Sequence, residues 1–150
     1  MSEKFLNYED LVQELLPLVK EVMPWEVEAA MKGEGYEGLV LDIREPTETS
    51  VCVIKNSLCV PRGVLEAAGC AGYDETEQAL LDARDKQIIV VCRSGKRSVF
   101  AAHTLNRMGY KNAVSLKTGI RGVADAFYPL YRDDEEVDED EVEKFFYPDA

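Results

Sequence analysis

The sequence predicts an α/β fold, a parallel sheet with helices on both faces. Two short apolar runs at residues 39–43 and 88–91 are rich in β-branched side chains, as strands buried on both sides are. Segments with helical spacing lie before, between and after these runs. Alternating strands and helices favour parallel pairing, because each connection crosses the sheet through a helix.

The N-terminal segment predicts an amphipathic helix over residues 8–22. Its apolar side chains recur at helical spacing, and acidic side chains occupy the other side. Pro17 lies inside this pattern, so we expect the helix to kink or restart there. A second helix is expected over residues 24–31, because it has proline in its first turn and glycines after its end.

The rest of the chain continues the alternation. Residues 39–43 form the first predicted strand, and a flexible glycine-containing connection follows at residues 67–72. A helix with an acidic start is expected over residues 74–84, leading into the strand at 88–91. The next helix covers residues 98–108 and is closed by a glycine.

Composition narrows the classes of function. The net charge of −12 argues against sequence-independent nucleic-acid binding, because such a surface repels phosphates. The first residues do not resemble a signal peptide, and no apolar run approaches membrane-spanning length, so we expect a cytoplasmic protein with no membrane partner. Four cysteines without zinc-like spacing predict reduced thiols and no metal site: Cys52, Cys59, Cys70 and Cys92.

Cys92 has the sequence context of a nucleophile. It follows a predicted strand and precedes a helix N-terminus, where unpaired N–H groups and the helix dipole attract negative charge. Gly95 lets the backbone curl, and Arg93, Lys96 and Arg97 add positive charge. All of these favour the thiolate form. A buried structural cysteine is the alternative, but the basic segment after Cys92 is unusual for that role.

Three segments carry a resemblance to a known family. Cys-Arg-Ser-Gly-Lys-Arg-Ser at residues 92–98 resembles the active-site loop of rhodanese-type sulfurtransferases. Leu-Asp-Ile-Arg-Glu-Pro-Thr-Glu at residues 41–48 resembles the Asp-x-Arg-Glu-x-x-Glu signature near the start of that domain. Residues 108–120 resemble its helix, turn, strand and Gly-Gly-hydrophobic segment, with Thr118 in place of the first glycine. The resemblance extends over residues 23–129.

The sequence also departs from the family pattern. Where the family usually has Gly-His-Ile-Pro-Gly-Ala, residues 52–57 are Cys-Val-Ile-Lys-Asn-Ser, and Val123 stands where tryptophan is common. Residues 58–61 return to the pattern as a short apolar strand that ends in proline. Neither departure supplies the nucleophile, so they affect local packing more than the chemistry.

The resemblance implies a single-domain, rhodanese-like catalytic unit over residues 23–130, with a helical extension at 1–22 and an acidic tail at 131–150. It implies sulfane-sulfur transfer from thiosulfate, a persulfide or a polysulfide to a thiophilic acceptor through a persulfide on Cys92. No cofactor or metal is needed. The partners would be a small sulfur donor and, as a candidate acceptor, a sulfur-carrier protein. The donor-binding residues would be Arg93, Ser94, Gly95, Lys96, Arg97 and Ser98.

Two other functions stay open. A noncatalytic binding module is one, although retention of both the thiol and its cations argues against it. A cysteine-dependent phosphatase or arsenate reductase is the other, but its signature has one residue more between cysteine and arginine, and usually a histidine before the cysteine. Here four residues separate Cys92 from Arg97, and Val91 precedes Cys92. The shorter loop favours sulfur over a phosphoryl oxyanion.

The remaining polar residues are given structural roles. The resemblance implies that Asp42 and Arg44 brace the domain through ion pairs. His103, the only histidine, falls on the helix after the loop and is interpreted as structural. Cys70 is interpreted as an idle loop cysteine, with a resolving thiol as the alternative. Arg62 is expected to border the pocket, and Cys52 and Cys59 to lie in or near the core.

The acidic run at residues 133–143 favours a solvated tail, because like charges repel one another and resist packing. A partner surface is the alternative interpretation. Aromatic residues at 145–147 could anchor the end of the segment on the domain, so complete disorder does not follow from the charge.

Overall fold

A computed structural model describes residues 5–149, and its centre is a five-stranded parallel sheet. The strands are β1 (Glu21–Val22), β2 (Leu39–Asp42), β3 (Leu58–Cys59), β4 (Gln87–Val91) and β5 (Asn112–Leu116). Their spatial order is β1-β5-β4-β2-β3, so β4 lies in the middle. The predicted α/β class with a parallel sheet is confirmed.

Helices cover both faces of this sheet. They are α1 (Tyr8–Leu15), α2 (Glu28–Lys32), α3 (Pro46–Thr49), α4 (Leu65–Ala68), α5 (Gln78–Leu81), α6 (Arg97–Arg107), α7 (Gly119–Asp125) and α8 (Glu139–Phe146). Short 3-10 turns at Leu16–Leu18, Pro24–Val27 and Arg62–Val64 connect some of them. Within residues 5–149, none of these helices has the length and apolarity needed to cross a membrane.

The central strand divides the interior into two cores, because successive side chains of a strand point to opposite faces. Ile88 and Val90 of β4 pack on one face against α1, α4, α5 and α6. Ile89 and Val91 pack on the other face against α2, α7 and α8. All four side chains are fully buried. The apolar run that predicted this strand therefore supplies both cores.

The N-terminal helix is shorter than the sequence pattern predicts. Helix α1 begins after Asn7, whose side chain accepts a hydrogen bond from the Asp10 N–H at 2.8 Å, and it ends at Leu15. Pro17 follows in a 3-10 turn, since proline has no N–H for the helical ladder. The chain then becomes β1 at the sheet edge, where the Ser115 N–H donates to the Lys20 carbonyl at 2.9 Å.

The helix predicted over residues 74–84 is reduced to α5. Side-chain and turn hydrogen bonds compete with helical ones in its first part. The Thr76 hydroxyl accepts from the Tyr73 N–H at 3.0 Å, and the Glu77 N–H donates to the Ala68 carbonyl at 3.0 Å. The acidic start of this segment is therefore a loop that these hydrogen bonds hold in place.

The acidic C-terminal segment is folded, so its interpretation as a solvated tail is wrong. Strands β6 (Tyr131–Arg132) and β7 (Glu135–Glu136) form a hairpin, and α8 follows. Val142 and Phe146 of α8 are buried in the core, with 8% and 3% of their surfaces exposed. These two lie one helical turn apart, so the helix buries an apolar face and leaves its carboxylates in solvent.

Candidate functional site

Cys92 lies directly after β4, at the carboxyl edge of the sheet, with only 1% of its surface exposed. Its sulfur accepts hydrogen bonds from the backbone N–H groups of Gly95 at 3.1 Å and Ser98 at 3.3 Å. The Ser98 hydroxyl lies 3.3 Å from the same sulfur and 2.7 Å from the Ser115 hydroxyl. The loop between β4 and α6 therefore directs polar hydrogens at one sulfur atom, which stabilises negative charge there.

Two glycines make this loop geometry available. Gly95 has φ +92°, and a Cβ there would lie 2.9 Å from the Lys117 backbone. Gly119 has φ +64°, and it leads α7 against the loop so that the Ile120 N–H donates to the Cys92 carbonyl at 2.8 Å. Thr118, which stands where the family has its first glycine, has φ −94° and needs no such freedom.

Arg97 is held by a carboxylate. Its two terminal nitrogens donate to the two Glu48 oxygens at 2.8 and 2.9 Å, and Glu48 belongs to α3. The hydrogen bond to this carboxylate raises the pKa of Arg97, and the same bond lowers the pKa of Glu48. A donor anion at Arg97 would therefore compete with Glu48.

Lys96 is held by the N-terminal helix. Its ammonium lies 2.7 Å from a Glu9 oxygen and 5.6 Å from the centre of the Tyr8 ring. Tyr8 in turn stacks on Phe100 of α6, with ring centres 6.2 Å apart. Burial raises the pKa of Tyr8, and negative charge at Cys92 adds to that rise. Helix α1 thus places an aromatic ring beside the site.

Arg93 is held by the C-terminal helix. Its guanidinium donates to the Phe146 carbonyl at 3.0 Å and lies 5.1 Å from the centre of the Phe146 ring. The Phe145 ring is 5.8 Å away. Among residues 5–149, Arg93 forms no ion pair, so its charge is directed by α8 without being neutralised by a carboxylate.

The structure separates the predicted donor-binding residues into three groups. Gly95 and Ser98 are buried beside Cys92, and Ser94 is exposed. The three cations extend to partners on α8, α1 and α3. The sequence does not indicate Tyr8, Glu9 and Phe146 as partners of these cations, because nothing local shows which distant helix packs on the loop. Within the described residues, no group of three or more His, Cys, Asp and Glu side chains could hold a metal ion.

The brace expected from Asp42 and Arg44 is present. The Arg44 Nε and Nη2 atoms donate to the Asp42 carboxylate at 3.0 and 2.9 Å. Both side chains are buried, and Nη2 also donates to the Cys52 carbonyl at 2.6 Å. The pair joins β2 to the segment before β3, where it stabilises the fold and does not contact the Cys92 sulfur.

The other singled-out residues lie outside the sulfur's immediate surroundings. Cys52 is buried, whereas Cys59 is exposed, so its placement in or near the core is wrong. Residue 59 is the end of an edge strand, which leaves its side chain open to solvent. Arg62 pairs with Glu66 at 2.9 Å and contacts the Thr104 hydroxyl at 3.2 Å. His103 is half-buried on α6, and Cys70 is half-buried in its loop.

A comparison with family models decides the family. The model described as a rhodanese-like domain matches residues 23–126. This range contains β2, the Cys92 loop and α7, which together build the site. The chain belongs to the rhodanese-like domain family. The match leaves α8, which holds Arg93, outside residues 23–126.

Relatives of this rhodanese-like domain agree with that assignment. A putative mitochondrial thiosulfate sulfurtransferase of Schizosaccharomyces pombe is 32% identical over 77 residues, which are 49% of this chain and 54% of that protein. The chain thus spans about half the length of this curated relative.

Solved structures show the same fold. The human single-domain sulfurtransferase has a TM-score of 0.59 at 22% identity, covering 71% of this chain and 96% of that one. A protein of unknown function from Rhodopseudomonas palustris, described as a possible tyrosine phosphatase, has a TM-score of 0.76 at 22% identity. That match covers 87% of this chain and 99% of the other.

Proposed function

We propose that this rhodanese-like domain is a sulfurtransferase that moves sulfane sulfur from thiosulfate, a persulfide or a polysulfide to a thiophilic acceptor. The observation that carries the proposal is the pair of backbone N–H groups, from Gly95 and Ser98, that converge on the Cys92 sulfur. Donors fixed in this way stabilise a sulfur anion without a neighbouring base. Cys92 is the nucleophile in the first half of the reaction and the leaving group in the second.

In the first half-reaction, the Cys92 thiolate attacks the outer sulfur of the donor. With thiosulfate, a new S–S bond forms to Cys92, and the bond between the two donor sulfurs breaks. Sulfite leaves with the electron pair of that bond, so no external oxidant is required. Cys92 then carries one additional sulfur as a persulfide.

In the second half-reaction, a nucleophile such as cyanide or a thiolate attacks the outer sulfur of the persulfide. The S–S bond breaks, and its electron pair returns to Cys92 as thiolate. The Gly95 and Ser98 N–H groups, which already contact this sulfur, stabilise the charge that reappears there. The site is thereby ready for another donor.

Recognition of an anionic donor falls to the loop cations. Arg93 has no carboxylate partner among the described residues, whereas Lys96 and Arg97 are paired with Glu9 and Glu48. A dianion such as thiosulfate must therefore compete with two carboxylates for two of the three charges. A persulfide donor with less charge faces less competition.

The test is intact-mass spectrometry after treatment with thiosulfate or glutathione persulfide, followed by peptide mapping of the added sulfur. The wild-type protein should gain one sulfur at Cys92. Cys92→Ser should fold normally and lose loading, because a serine hydroxyl is not ionised at neutral pH. Cys59→Ser is the matched control and should load normally, since its side chain is exposed and takes no part in the hydrogen bonds to the Cys92 sulfur.

Three results would contradict the proposal. A stable one-sulfur adduct on another cysteine of Cys92→Ser, formed at the wild-type rate, would show that the nucleophile is assigned wrongly. Absence of loading with every donor would favour a noncatalytic module. Hydrolysis of an aryl phosphate by the wild-type protein without sulfur loading would favour the phosphatase alternative.

A further inference from the structure

The C-terminal helix α8 and the end of α7 enclose a groove of about 390 Å³. Its floor is apolar and includes Leu130, Val137, Val142 and Phe146, all of them buried. Its rim carries carboxylates, and none of the residues that line the groove is basic. The acidic lining residues are Asp125, Glu136, Glu139, Asp140 and Glu143.

Phe127 stands at this groove in an unusual state. Its aromatic side chain is 81% exposed, and its backbone has φ +62°. Bulky residues rarely adopt this left-handed conformation, because the Cβ crowds the backbone. This conformation ends α7, because the Phe127 N–H donates to the Ala124 carbonyl at 3.0 Å and the Tyr128 N–H donates to the Val123 carbonyl at 3.2 Å. The turn leaves the apolar ring of Phe127 exposed beside the groove, as apolar side chains of binding surfaces are.

The charge of the rim defines the occupant. Within residues 5–149, none of the five rim carboxylates forms an ion pair. A ligand that fills the groove brings these carboxylates close to its own charges, so lysine or arginine is favoured and acidic groups are repelled. The apolar floor and Phe127 favour an aliphatic or aromatic anchor between those basic residues.

We propose that the α7–α8 groove docks a basic peptide segment of a partner protein, with an apolar side chain inserted beside Phe127. The groove adjoins the sulfur site, because Phe146 lines its floor while its carbonyl accepts the Arg93 hydrogen bond at 3.0 Å. A partner held here lies next to the Cys92 loop. Its role as sulfur acceptor rests on the proposed function, whereas the docking itself does not.

The probe is a fluorescein-labelled amphipathic peptide of lysine and leucine, measured by anisotropy with the full chain at low ionic strength. A peptide with glutamate for lysine, and another with serine for leucine, separate charge from apolar contact. Only the lysine-leucine peptide should bind well. Its affinity should fall as salt is raised, because the rim charges are screened.

Phe127→Asn should weaken binding of the lysine-leucine peptide by about tenfold, the usual loss when an interface anchor is truncated. Asparagine adopts positive φ more readily than phenylalanine, so the fold should be kept. The pair Asp140→Lys and Glu143→Lys should also weaken binding by about tenfold. The pair Glu37→Lys and Glu75→Lys makes the same net charge change on exposed acids outside the groove, and should alter binding less than about twofold.

Several outcomes would overturn the docking proposal. Equal losses in the groove pair and the control pair would mean general attraction to an acidic protein. Equal binding of the lysine-serine peptide, or no effect of Phe127→Asn, would mean that no anchor is used. Amide shift mapping on the wild-type protein provides a check without variants. The peptide should shift signals of residues 124–130 and 136–147, and shifts spread over the whole surface would contradict the site.

Sulfur loading by thiosulfate, measured on the same variants, separates this proposal from the proposed function. Phe127→Asn and the groove charge pair should load Cys92 as the wild type does, because none of these residues contacts the sulfur loop. Loss of peptide binding with normal loading supports a separate docking site. Normal peptide binding by a protein that never loads sulfur would retain the docking site and refute the sulfurtransferase.

Discussion

Cys92 and Cys52 are both buried thiols, and their surroundings differ. Cys52 lies against the second core, where burial raises the pKa of its thiol to about 11. Its backbone carbonyl accepts a hydrogen bond from Arg44, and its sulfur receives none from the described residues. The Cys92 sulfur instead receives the Gly95 and Ser98 N–H groups.

Burial alone therefore does not decide what a cysteine does. Both side chains are almost inaccessible, at 0% and 1% exposure for Cys52 and Cys92. Desolvation raises the pKa of the Cys52 thiol. At Cys92, fixed N–H donors surround the sulfur in place of the water that burial removes. The turn between β4 and α6 thus creates the chemical difference between two cysteines of similar burial.

The largest expected difference is in alkylation. In the native protein at pH 8, iodoacetamide should label Cys52 at least about 100-fold more slowly than it does in urea, because a thiol with pKa about 11 is almost wholly protonated there. Cys92 should be labelled before Cys52. Peptide mapping over time measures both rates, with half-buried Cys70 as the internal control. Labelling of native Cys52 as fast as that of Cys70 would contradict the raised pKa of Cys52.

The same thiol predicts a pH dependence of stability. The folded-state pKa of Cys52 is raised from an ordinary value of 9.0 to about 11, so its contribution is complete below pH 9 and is lost as pH rises toward 11. That contribution is about 2 to 3 kcal/mol. In urea unfolding, the free energy of unfolding of Cys52→Ala should therefore fall less over this interval than that of the wild type. Parallel curves would contradict the pKa shift.

A substitution of Arg97 tests whether its positive charge contributes to thiosulfate turnover in addition to the N–H donors at the Cys92 sulfur. Arg97→Ala should lower kcat/KM for thiosulfate by roughly 10- to 100-fold, corresponding to about 1.5 to 3 kcal/mol of charged hydrogen bonding. Persulfide donors with less charge should lose less. Steady-state assays with both donors measure this.

Glu48→Gln is the control for the Arg97 ion pair. It weakens the bidentate pair but keeps the size of the side chain, so thiosulfate turnover should be kept or rise. One result would show that the Arg97–Glu48 pair shapes the loop and does not bind the donor. In that result, Arg97→Ala loses the same activity with both donors, and Glu48→Gln shows the same losses.

The smallest expected effect is at the N-terminal helix. Glu9→Gln should raise kcat/KM for thiosulfate by less than about threefold, because the Glu9 and Lys96 side chains are about half exposed and such pairs are weak. The gain should vanish at high salt. Glu14→Gln, an exposed acid on the same helix, should change nothing. A gain that persists in high salt would show that Glu9 acts other than through charge.

The parts of the fold that the sequence predicted well have strong local signals. The strand before Cys92 and the helix after it lie within one residue of their expected bounds, because an apolar run and a closing glycine are local features. The sequence does not predict helix α8, because the acidic run at residues 133–143 overlaps most of it. In this run the apolar spacing of Val142 and Phe146 is too weak a signal. Only the packing surface of α7 reveals that Val142 and Phe146 share a buried face.

The candidate site divides in the same way. Cys92 and the glycine of its loop could be identified from a contiguous motif. The partners of the cations could not, because Glu9, Glu48 and Phe146 reach the loop only after the chain has folded. Charges that look available in the sequence are therefore mostly paired in the structure. The sequence therefore shows which charged residues a loop carries, but not which distant side chains pair with those charges.

The edge strand β1 has a consequence for the order of events during synthesis. Within residues 5–149, β1 pairs with β5 alone, whose residues Ser115 and Leu116 leave the ribosome long after Glu21 and Val22. Helix α1 likewise packs on α6, a much later element. Helix α1 and strand β1 must therefore leave apolar side chains uncovered until α6 and β5 have been translated. This nascent segment is where we expect a chaperone to bind.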